Sequence, residues 1–205
     1  MVDDFALLDR WAGGDRDAGS DLFERYVEPL HRFFASKASG AVADLVQDTF
    51  TACIAARDRF RRESSFRTFL FATARNILFA HYRSRGREPA HAPIGESMLA
   101  DLDPSPSSVV AKRDEERVLI AALRRIPLDF QIALELYEWE ELTAVEVAEV
   151  LGISEAAFRS RVHRAKQELR EQVRRIADSH EVLESTMTDL ARWAAGLRAD
   201  VAARK

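Results

Sequence analysis

The sequence predicts an all-α protein made of two small helical domains, a flexible linker between them and a C-terminal helix. Helix-forming residues such as Ala, Leu, Arg and Glu are abundant, whereas the 205 residues include only 8 glycines and 6 prolines. Apolar side chains recur at three- and four-residue spacing on both sides of one proline-rich segment. These observations divide the chain into residues 1–87, 88–110, 111–173 and 174–205.

A strongly amphipathic helix is predicted in the first domain, in the stretch AVADLVQDTFTACIAARDRF. Its apolar face is predicted to be buried and comprises Val42, Leu45, Val46, Phe50, Cys53, Ile54 and Phe60. The opposite face carries Asp44, Gln47, Asp48 and Thr51. Such a face of acids and amides is either ordinary solvated surface or a docking face for a basic protein partner.

A cationic helix follows in the stretch FRRESSFRTFLFATARNILFAHYRSR. Residues 57–87 hold nine basic and two acidic side chains, a local charge of +7 in a chain whose total is −4. One helix face and its edge carry Arg75, Asn76, Phe79 and Arg83, and the preceding loop carries Ser64, Ser65 and Phe66. Cationic, aromatic and amide groups together suit unpaired bases, although core packing is an equally good interpretation of the aromatic residues.

The linker is identified by a change of composition. Residues 86–108 contain four of the six prolines, no lysine and a single cation, Arg87. Apolar periodicity is weak there, so the segment is predicted to be a tether between the two domains.

The second domain contains the pattern of a helix-turn-helix in LTAVEVAEVLGIS and the residues after it. Thr143 stands three residues before Glu146, which is the spacing of a capping box. The helix that begins there is predicted to end at Leu151, because Gly152 can adopt the left-handed conformation. Ser154 can then cap a second helix.

On that second helix the polar and apolar positions separate cleanly. One face is predicted to pack against the first helix and comprises Phe158, Val162, Ala165 and Leu169. The other points outward with Ser160, His163, Arg164 and Gln167, and has Arg159 on its flank and Arg161 nearer the core edge. Residues 159–175 hold seven basic and two acidic side chains. The pattern favours a helix that reads the major groove, the alternative being a solvated basic helix in a bundle.

Other functional classes have little support in the sequence. Cys53 is the only cysteine, and the five histidines show no metal-ligand spacing. There is no glycine-rich phosphate loop and no nucleophile with an adjacent base, so we expect neither an enzyme nor a cofactor. The acidic N-terminus is unlike a secretory signal and no apolar run is long enough to cross a bilayer, so we expect a cytoplasmic location.

Taken in order, these segments resemble the σ70 family of bacterial transcription initiation factors, in particular its extracytoplasmic-function (ECF) group, which retains regions 2 and 4. The stretch ADLVQDTFTACIAA is similar to region 2.1–2.2, which in the family binds the clamp coiled coil of the largest polymerase subunit. The resemblance assigns this core-polymerase contact to Asp44, Leu45, Val46, Gln47, Asp48 and Phe50.

The cationic segment is similar to regions 2.3–2.4, which hold the melted −10 element. The resemblance implies a base-accepting loop at Ser64, Ser65 and Phe66 and a reading helix with Arg75, Asn76, Phe79 and Arg83. Residues 123–170 resemble region 4, which binds the polymerase flap and reads the −35 element. The residues implied for −35 reading are Arg159, Ser160, His163 and Arg164, with Gln167 on the same face.

The resemblance therefore implies a sigma factor that binds core RNA polymerase and directs promoter recognition and melting. An anti-sigma factor is a further candidate partner, and the acidic linker is either a polyanion mimic near the RNA path or a plain tether. The chain departs from the family at Phe69, where Trp is common, and at residues 156–158, where Ala-Ala-Phe replaces Gly-Thr-Val. The competing hypothesis is a helix-turn-helix regulator that binds duplex operators without core polymerase.

Residues 176–205 extend beyond what the family requires. A heptad-like seam alternates at steps of four and three, at Ile176, His180, Leu183, Met187, Leu190, Ala194, Leu197 and Val201. The tail is interpreted either as a helix folded back on one domain or as a regulatory element that masks a binding face or recruits a partner.

Overall fold

The computed structural model describes residues 3–56, 63–86 and 118–176, and the regular structure in these ranges is helical. The all-α prediction is confirmed. The chain divides into two compact units, residues 1–85 and 86–205. The predicted linker at 88–110 and the tail beyond Ile176 lie outside the described residues. In the ranges given above, no helix is both long and apolar enough to cross a membrane.

The first unit is a bundle of α1 (Asp4–Ala12), α2 (Arg16–Ala35), α3 (Val42–Ala56) and α4 (Phe66–Ser84). Side chains cap three of these helices at their N-termini: Asp3, Asp15 and Ser65 accept hydrogen bonds from backbone N–H groups of the first turn. Such caps each contribute about 1 kcal/mol.

Close contacts fix the arrangement of the first unit. Trp11 of α1 lies so close to Gly19 of α2 that a Cβ atom at Gly19 would come within 2.7 Å of the indole ring. The Tyr82 hydroxyl donates a hydrogen bond to the backbone oxygen of Lys37 at 2.6 Å, which fastens the end of α4 to the end of α2. The first contact joins α1 to α2, and the second holds α4 against the residues that follow α2.

The predicted apolar stripe of α3 is only partly buried. Val42, Leu45 and Cys53 lie in the core, and Leu45 and Cys53 are 3% and 1% exposed. The prediction was wrong for Ile54, which is 46% exposed. Two further members of the stripe, Val46 and Phe50, are half-buried, and Phe60 lies outside the described residues. The apolar face of α3 is therefore wider than the part of it that is buried in the core.

The second unit contains helical residues 118–123 (α5), α6 (Leu128–Leu134), α7 (Ala144–Leu151) and α8 (Glu155–Ile176). A π-helical segment, Glu135–Trp139, directly continues α6 and was not anticipated from the sequence. The core of the unit joins α5, α6 and α8 through Leu119, Ala122, Leu123, Ile126, Leu134, Ala165, Leu169 and Val173.

The predicted helix-turn-helix is present with the predicted caps. The Thr143 backbone N–H donates to Glu146 Oε2 at 2.9 Å, and the Glu146 N–H donates to Thr143 Oγ1 at 3.3 Å. Gly152 has φ 67°, and the Ala157 N–H donates to Ser154 Oγ at 3.2 Å. The capping box, the glycine turn and the serine cap are thus confirmed.

Candidate nucleic-acid interface

The outward face of α8 is open. Ser160, His163, Arg164 and Gln167 are exposed, as is Arg159 on the flank. The opposite face is closed by Phe158, Ala165 and Leu169, all at 1% exposure or less. Phe158 packs edge-on against Tyr137, with ring centroids 5.4 Å apart. The separation of faces predicted for this helix is confirmed, although this does not test which of the outward residues contacts DNA.

Arg164 has a neighbour that the sequence analysis missed. Its guanidinium lies 6.0 Å from the ring centroid of Phe130, in the first turn of α6. The two side chains line a shallow groove of about 510 Å³ that continues along α8 past Gln167 to Arg174. Since Phe130 comes from another helix, periodicity along α8 gave no signal for it.

Among the paired cations of α8, those at positions 159, 161 and 166 differ in how exposed their ion pairs are. Arg159 pairs with Glu155 one turn earlier, with both side chains well exposed at 70% and 42%. Such an exposed helix pair contributes roughly 0.3–0.5 kcal/mol and gives way easily to a phosphate. Arg161 pairs with Asp129 at 3.2 Å and Lys166 with Glu138 at 2.5 Å, both partners belonging to the preceding segment.

The loop before α4 differs from its prediction at one position. Phe66 is the first residue of α4 rather than part of the loop, and it is 2% exposed against Tyr26, with ring centroids 5.5 Å apart. As placed, Phe66 cannot receive a base. Ser64 and Ser65 are half-buried. The Ser65 hydroxyl is engaged as the helix cap, accepting from the Thr68 N–H at 3.1 Å.

The predicted reading face of α4 is present, but the aromatic ring of Phe79 on that face is covered. The Arg75 guanidinium lies 4.2 Å from the centroid of Phe79, which is only 8% exposed. Of the two interpretations left open for the aromatic residues, core packing is the one that applies to the Phe79 ring, since Arg75 covers it and is itself half-buried. Asn76 and Arg83 are exposed beside this pair. The arrangement places a half-buried guanidinium beside an exposed amide and a second, exposed cation.

The same end of α4 carries one perturbed histidine. Partial burial, and to a smaller extent the charge of Arg85, lowers the pKa of His81. The neutral form is therefore favoured near neutral pH. The positive charge of this face accordingly comes from its arginines.

The α3 face predicted for polymerase contact borders an apolar groove. Asp44, Gln47 and Asp48 are exposed, but Leu45 is buried in the core and was wrongly included. The groove, of about 560 Å³, is lined by Phe23, Val27 and His31 of α2 and by Val46, Phe50 and Ile54 of α3. The α2 residues were missed because they are far from α3 in sequence.

No cluster of three or more histidine, cysteine or acidic side chains within the described ranges has a geometry that could hold a metal ion. The single thiol is also unsuited to nucleophilic chemistry. Burial raises the pKa of Cys53 to about 11, although a hydrogen bond with the Thr73 side chain opposes the shift. Cys53 is therefore a core residue between α3 and α4.

Family models match both units. The model described as "Sigma-70 region 2" matches residues 22–88, and that described as "Sigma-70, region 4" matches residues 116–169. Together they cover more than half of the chain.

Among curated relatives, the ECF RNA polymerase sigma-E factor of Haemophilus influenzae is 28% identical over 177 residues, which are 82% of this chain and 93% of the relative. The factor of the same name in Escherichia coli K12 is 24% identical over 176 residues, 82% and 92% of the two chains.

Two solved structures share the fold. The structure of CnrH in complex with the cytosolic domain of CnrY matches with a TM-score of 0.62 at 26% identity, covering 86% of this chain and 99% of that chain. The sigma factor RpoE of Bartonella quintana, solved with the anti-sigma factor NepR, matches with a TM-score of 0.59 at 24% identity, covering 80% and 99%.

Proposed function

This chain belongs to the ECF group of the σ70 family, and we propose that it binds core RNA polymerase and directs promoter recognition and DNA melting. The observation that carries the proposal is the presence of two cationic helix faces, one on each unit, of different construction. The face of α8 is open and polar, whereas the face of α4 carries a guanidinium stacked over a buried ring.

The second unit is proposed to read duplex DNA of the −35 element. Ser160, His163, Arg164 and Gln167 project from α8 into the major groove, and Arg159 contacts a phosphate. Their shared exposure over a buried opposite face supports this role.

The first unit is proposed to hold unpaired bases of the −10 element. A base stacks on the outer face of the Arg75 guanidinium, which Phe79 supports from below, while Asn76 and Arg83 supply an edge contact and a phosphate contact. Ser64 lies at the entrance of α4 and remains a candidate base contact. Because only melted DNA gains these interactions, binding shifts the melting equilibrium toward the open form.

The groove between α2 and α3 is proposed to dock the clamp of the largest polymerase subunit. Its apolar floor of Val46, Phe50 and Ile54 is bordered by Asp44 and Asp48, so it suits an apolar helix edge flanked by basic residues. The second unit is proposed to meet the flap. Since the polymerase forms the phosphodiester bonds, no catalysis by this chain is required, and we place its action in the cytoplasm with that enzyme.

An anti-sigma factor is proposed as a further partner. A structural relative, the RpoE of Bartonella quintana, was solved with such a factor. The apolar groove of the first unit is a surface that a competitor of core polymerase could occupy.

The direct test is to mix the purified chain with bacterial core polymerase and measure transcripts from a library of promoter fragments. Promoter-specific transcripts are expected only when both proteins are present. Sequence-specific duplex binding without any affinity for core polymerase would instead favour the operator-binding regulator.

A groove variant tests the docking surface separately. Ile54→Glu places a charge in the apolar groove, and because Ile54 is 46% exposed the fold is expected to survive. Affinity for core polymerase should fall by at least about tenfold. Ala6→Glu adds the same charge on an exposed position of α1 and should leave that affinity unchanged.

A further inference from the structure

Two ion pairs fasten α8 to the chain segment that precedes the helix-turn-helix. Arg161 Nη1 lies 3.2 Å from Asp129 Oδ2, and Lys166 Nζ lies 2.5 Å from Glu138 Oε1. Asp129 belongs to the first turn of α6, and Glu138 to the π-helical segment that continues it. The two ion pairs are therefore separated both along α8 and along the preceding segment.

The two cations lie on opposite flanks of α8. At about 100° per residue, Arg161 and Lys166 are roughly 140° apart around the helix axis. Each lies between the buried face marked by Ala165 and the outward face marked by Arg164. A single anchor would allow the helix to roll about its axis in one direction, whereas a pair on opposite flanks resists rotation in both.

These ion pairs are more enclosed than the others on α8. The side chains of Arg161 and Asp129 are 22% and 12% exposed, and those of Lys166 and Glu138 are 37% and 18% exposed. By contrast, the pair of Arg174 with Glu171 is 58% and 52% exposed and lies within α8 itself. A pair within one helix cannot orient that helix relative to the rest of the domain.

We propose that Asp129 and Glu138 are positioning residues that set the rotation of α8 and thereby the −35 sequence it accepts. This inference rests on the proposed function. A rotation of about 20° moves a side-chain tip roughly 5–6 Å from the helix axis by about 2 Å. Hydrogen bonds to base edges tolerate only a few tenths of an ångström, so small rotations change which bases are accepted.

The alternative role for Arg161 and Lys166 is direct contact with phosphates. In that case Asp129 and Glu138 only neutralise two DNA-binding cations. Removing an acid would then strengthen binding to every duplex equally and leave the preference for one sequence unchanged.

The experiment uses the full chain assembled with core polymerase. The wild-type complex first selects a preferred −35 element from duplex DNA randomised at that position. The ratio of Kd values for scrambled and selected elements is then measured for Asp129→Asn and Glu138→Gln. Each variant is expected to lower the ratio by at least about fivefold, the equivalent of one lost base contact. Glu171→Gln removes an acid from a pair within α8 and should leave the ratio unchanged.

A charge exchange between Lys166 and Glu138 distinguishes a positioning role of this pair from direct phosphate contact by Lys166. Lys166→Glu alone should lower the ratio, and Lys166→Glu combined with Glu138→Lys should restore most of it, because the flank anchor is rebuilt with reversed charges. If the exchange restores nothing and Lys166→Glu weakens binding to all sequences equally, Lys166 is a phosphate contact and the proposal is overturned. Should Asp129→Asn unfold the domain, this exchange and Glu138→Gln still test the positioning role at the Glu138 anchor.

An unchanged ratio in Glu138→Gln, with a wild-type complex that selects a clear element, would also overturn the positioning role while leaving the proposed function intact. A wild-type complex that selects no element would overturn the proposed function, and this inference with it.

Discussion

The two cationic faces of the molecule are built differently, although both combine arginine with an amide side chain. On α8 the polar side chains, Arg164 and Gln167 among them, are exposed above a tightly closed core, and Arg164 lies 6.0 Å from the Phe130 ring at the edge of that core. On α4 the central cation, Arg75, is half-buried and lies against Phe79, whose ring is itself almost fully covered.

This difference matches what paired and unpaired DNA require. A duplex already displays its base edges in the major groove, so a rigid, open helix face is sufficient to read them. Unpaired bases expose their faces and need a flat partner. On α4 that partner is the Arg75 guanidinium held by Phe79, an arrangement that keeps the aromatic ring out of water when DNA is absent.

The largest effect is expected for Arg164→Ala, which removes a central cation of the open face. Preference for the selected −35 element should fall by about fivefold to a hundredfold, since a good side-chain contact to a base is worth about 1–3 kcal/mol. Competition between selected and scrambled duplexes measures this. Arg175→Ala, an exposed cation three turns further along α8, should leave the preference unchanged. Equal losses in the two variants would mean that α8 binds DNA through charge alone.

A somewhat smaller effect is expected for Arg75→Ala on the covered face. Affinity of the polymerase complex for a single-stranded −10 oligonucleotide should fall at least about fivefold, because stacking contributes about 1–3 kcal/mol per base. Fluorescence anisotropy of a labelled oligonucleotide measures it. Binding of a −35 duplex by the same variant should be unaffected, and a parallel loss there would remove the distinction between the faces.

Phe79→Leu tests whether the ring acts through Arg75. Leucine keeps the site apolar, while the cation–π contact, worth about 0.5–2 kcal/mol, is lost. Single-strand affinity should fall about twofold to tenfold, less than for Arg75→Ala. Phe71→Leu makes the same exchange at another core position of α4 and should not alter single-strand affinity. If both variants lose affinity equally, the effect is one of stability and not of positioning.

The smallest change on DNA binding is expected in the labelling rate of Cys53. That rate shows whether the core of the first unit opens. With its pKa raised to about 11 and only 1% of its surface exposed, the thiol should react with a thiol-specific dye far more slowly than in urea-unfolded protein. Protection should persist when the −10 strand is bound, because capture on the Arg75 guanidinium needs no separation of α3 from α4. Rapid labelling in the DNA complex would show that the core opens.

The features that sequence predicts well here are those fixed by local chemistry. The Thr143 box and the Ser154 cap depend on side chains bonding to backbone groups three residues away, and the turn at Gly152 depends on the left-handed conformation that glycine adopts without strain. The faces of α8 follow from helical period alone. The stretch that resembles region 4 could therefore be placed with its caps and faces.

The failures concern burial that neighbours from other helices decide. Phe66 is covered by Tyr26 of α2, and Ile54 is exposed because it lies at a groove that α2 does not fill. The anchors Asp129 and Glu138 were missed for the same reason, since each pairs with a cation more than twenty residues away. The spacing of apolar residues along one helix does not show which residues of other helices pack against it.

The division of labour between the two faces can be tested most directly by combining protein and promoter changes in one transcription assay with core polymerase. Initiation is measured for wild type, Arg164→Ala and Arg75→Ala on the selected promoter and on a promoter whose −35 element has been scrambled. The Arg164→Ala defect is expected to vanish on the scrambled promoter, because its contact is already lost there, whereas the Arg75→Ala defect should persist at full size. Equal persistence of both defects on both promoters would contradict the account.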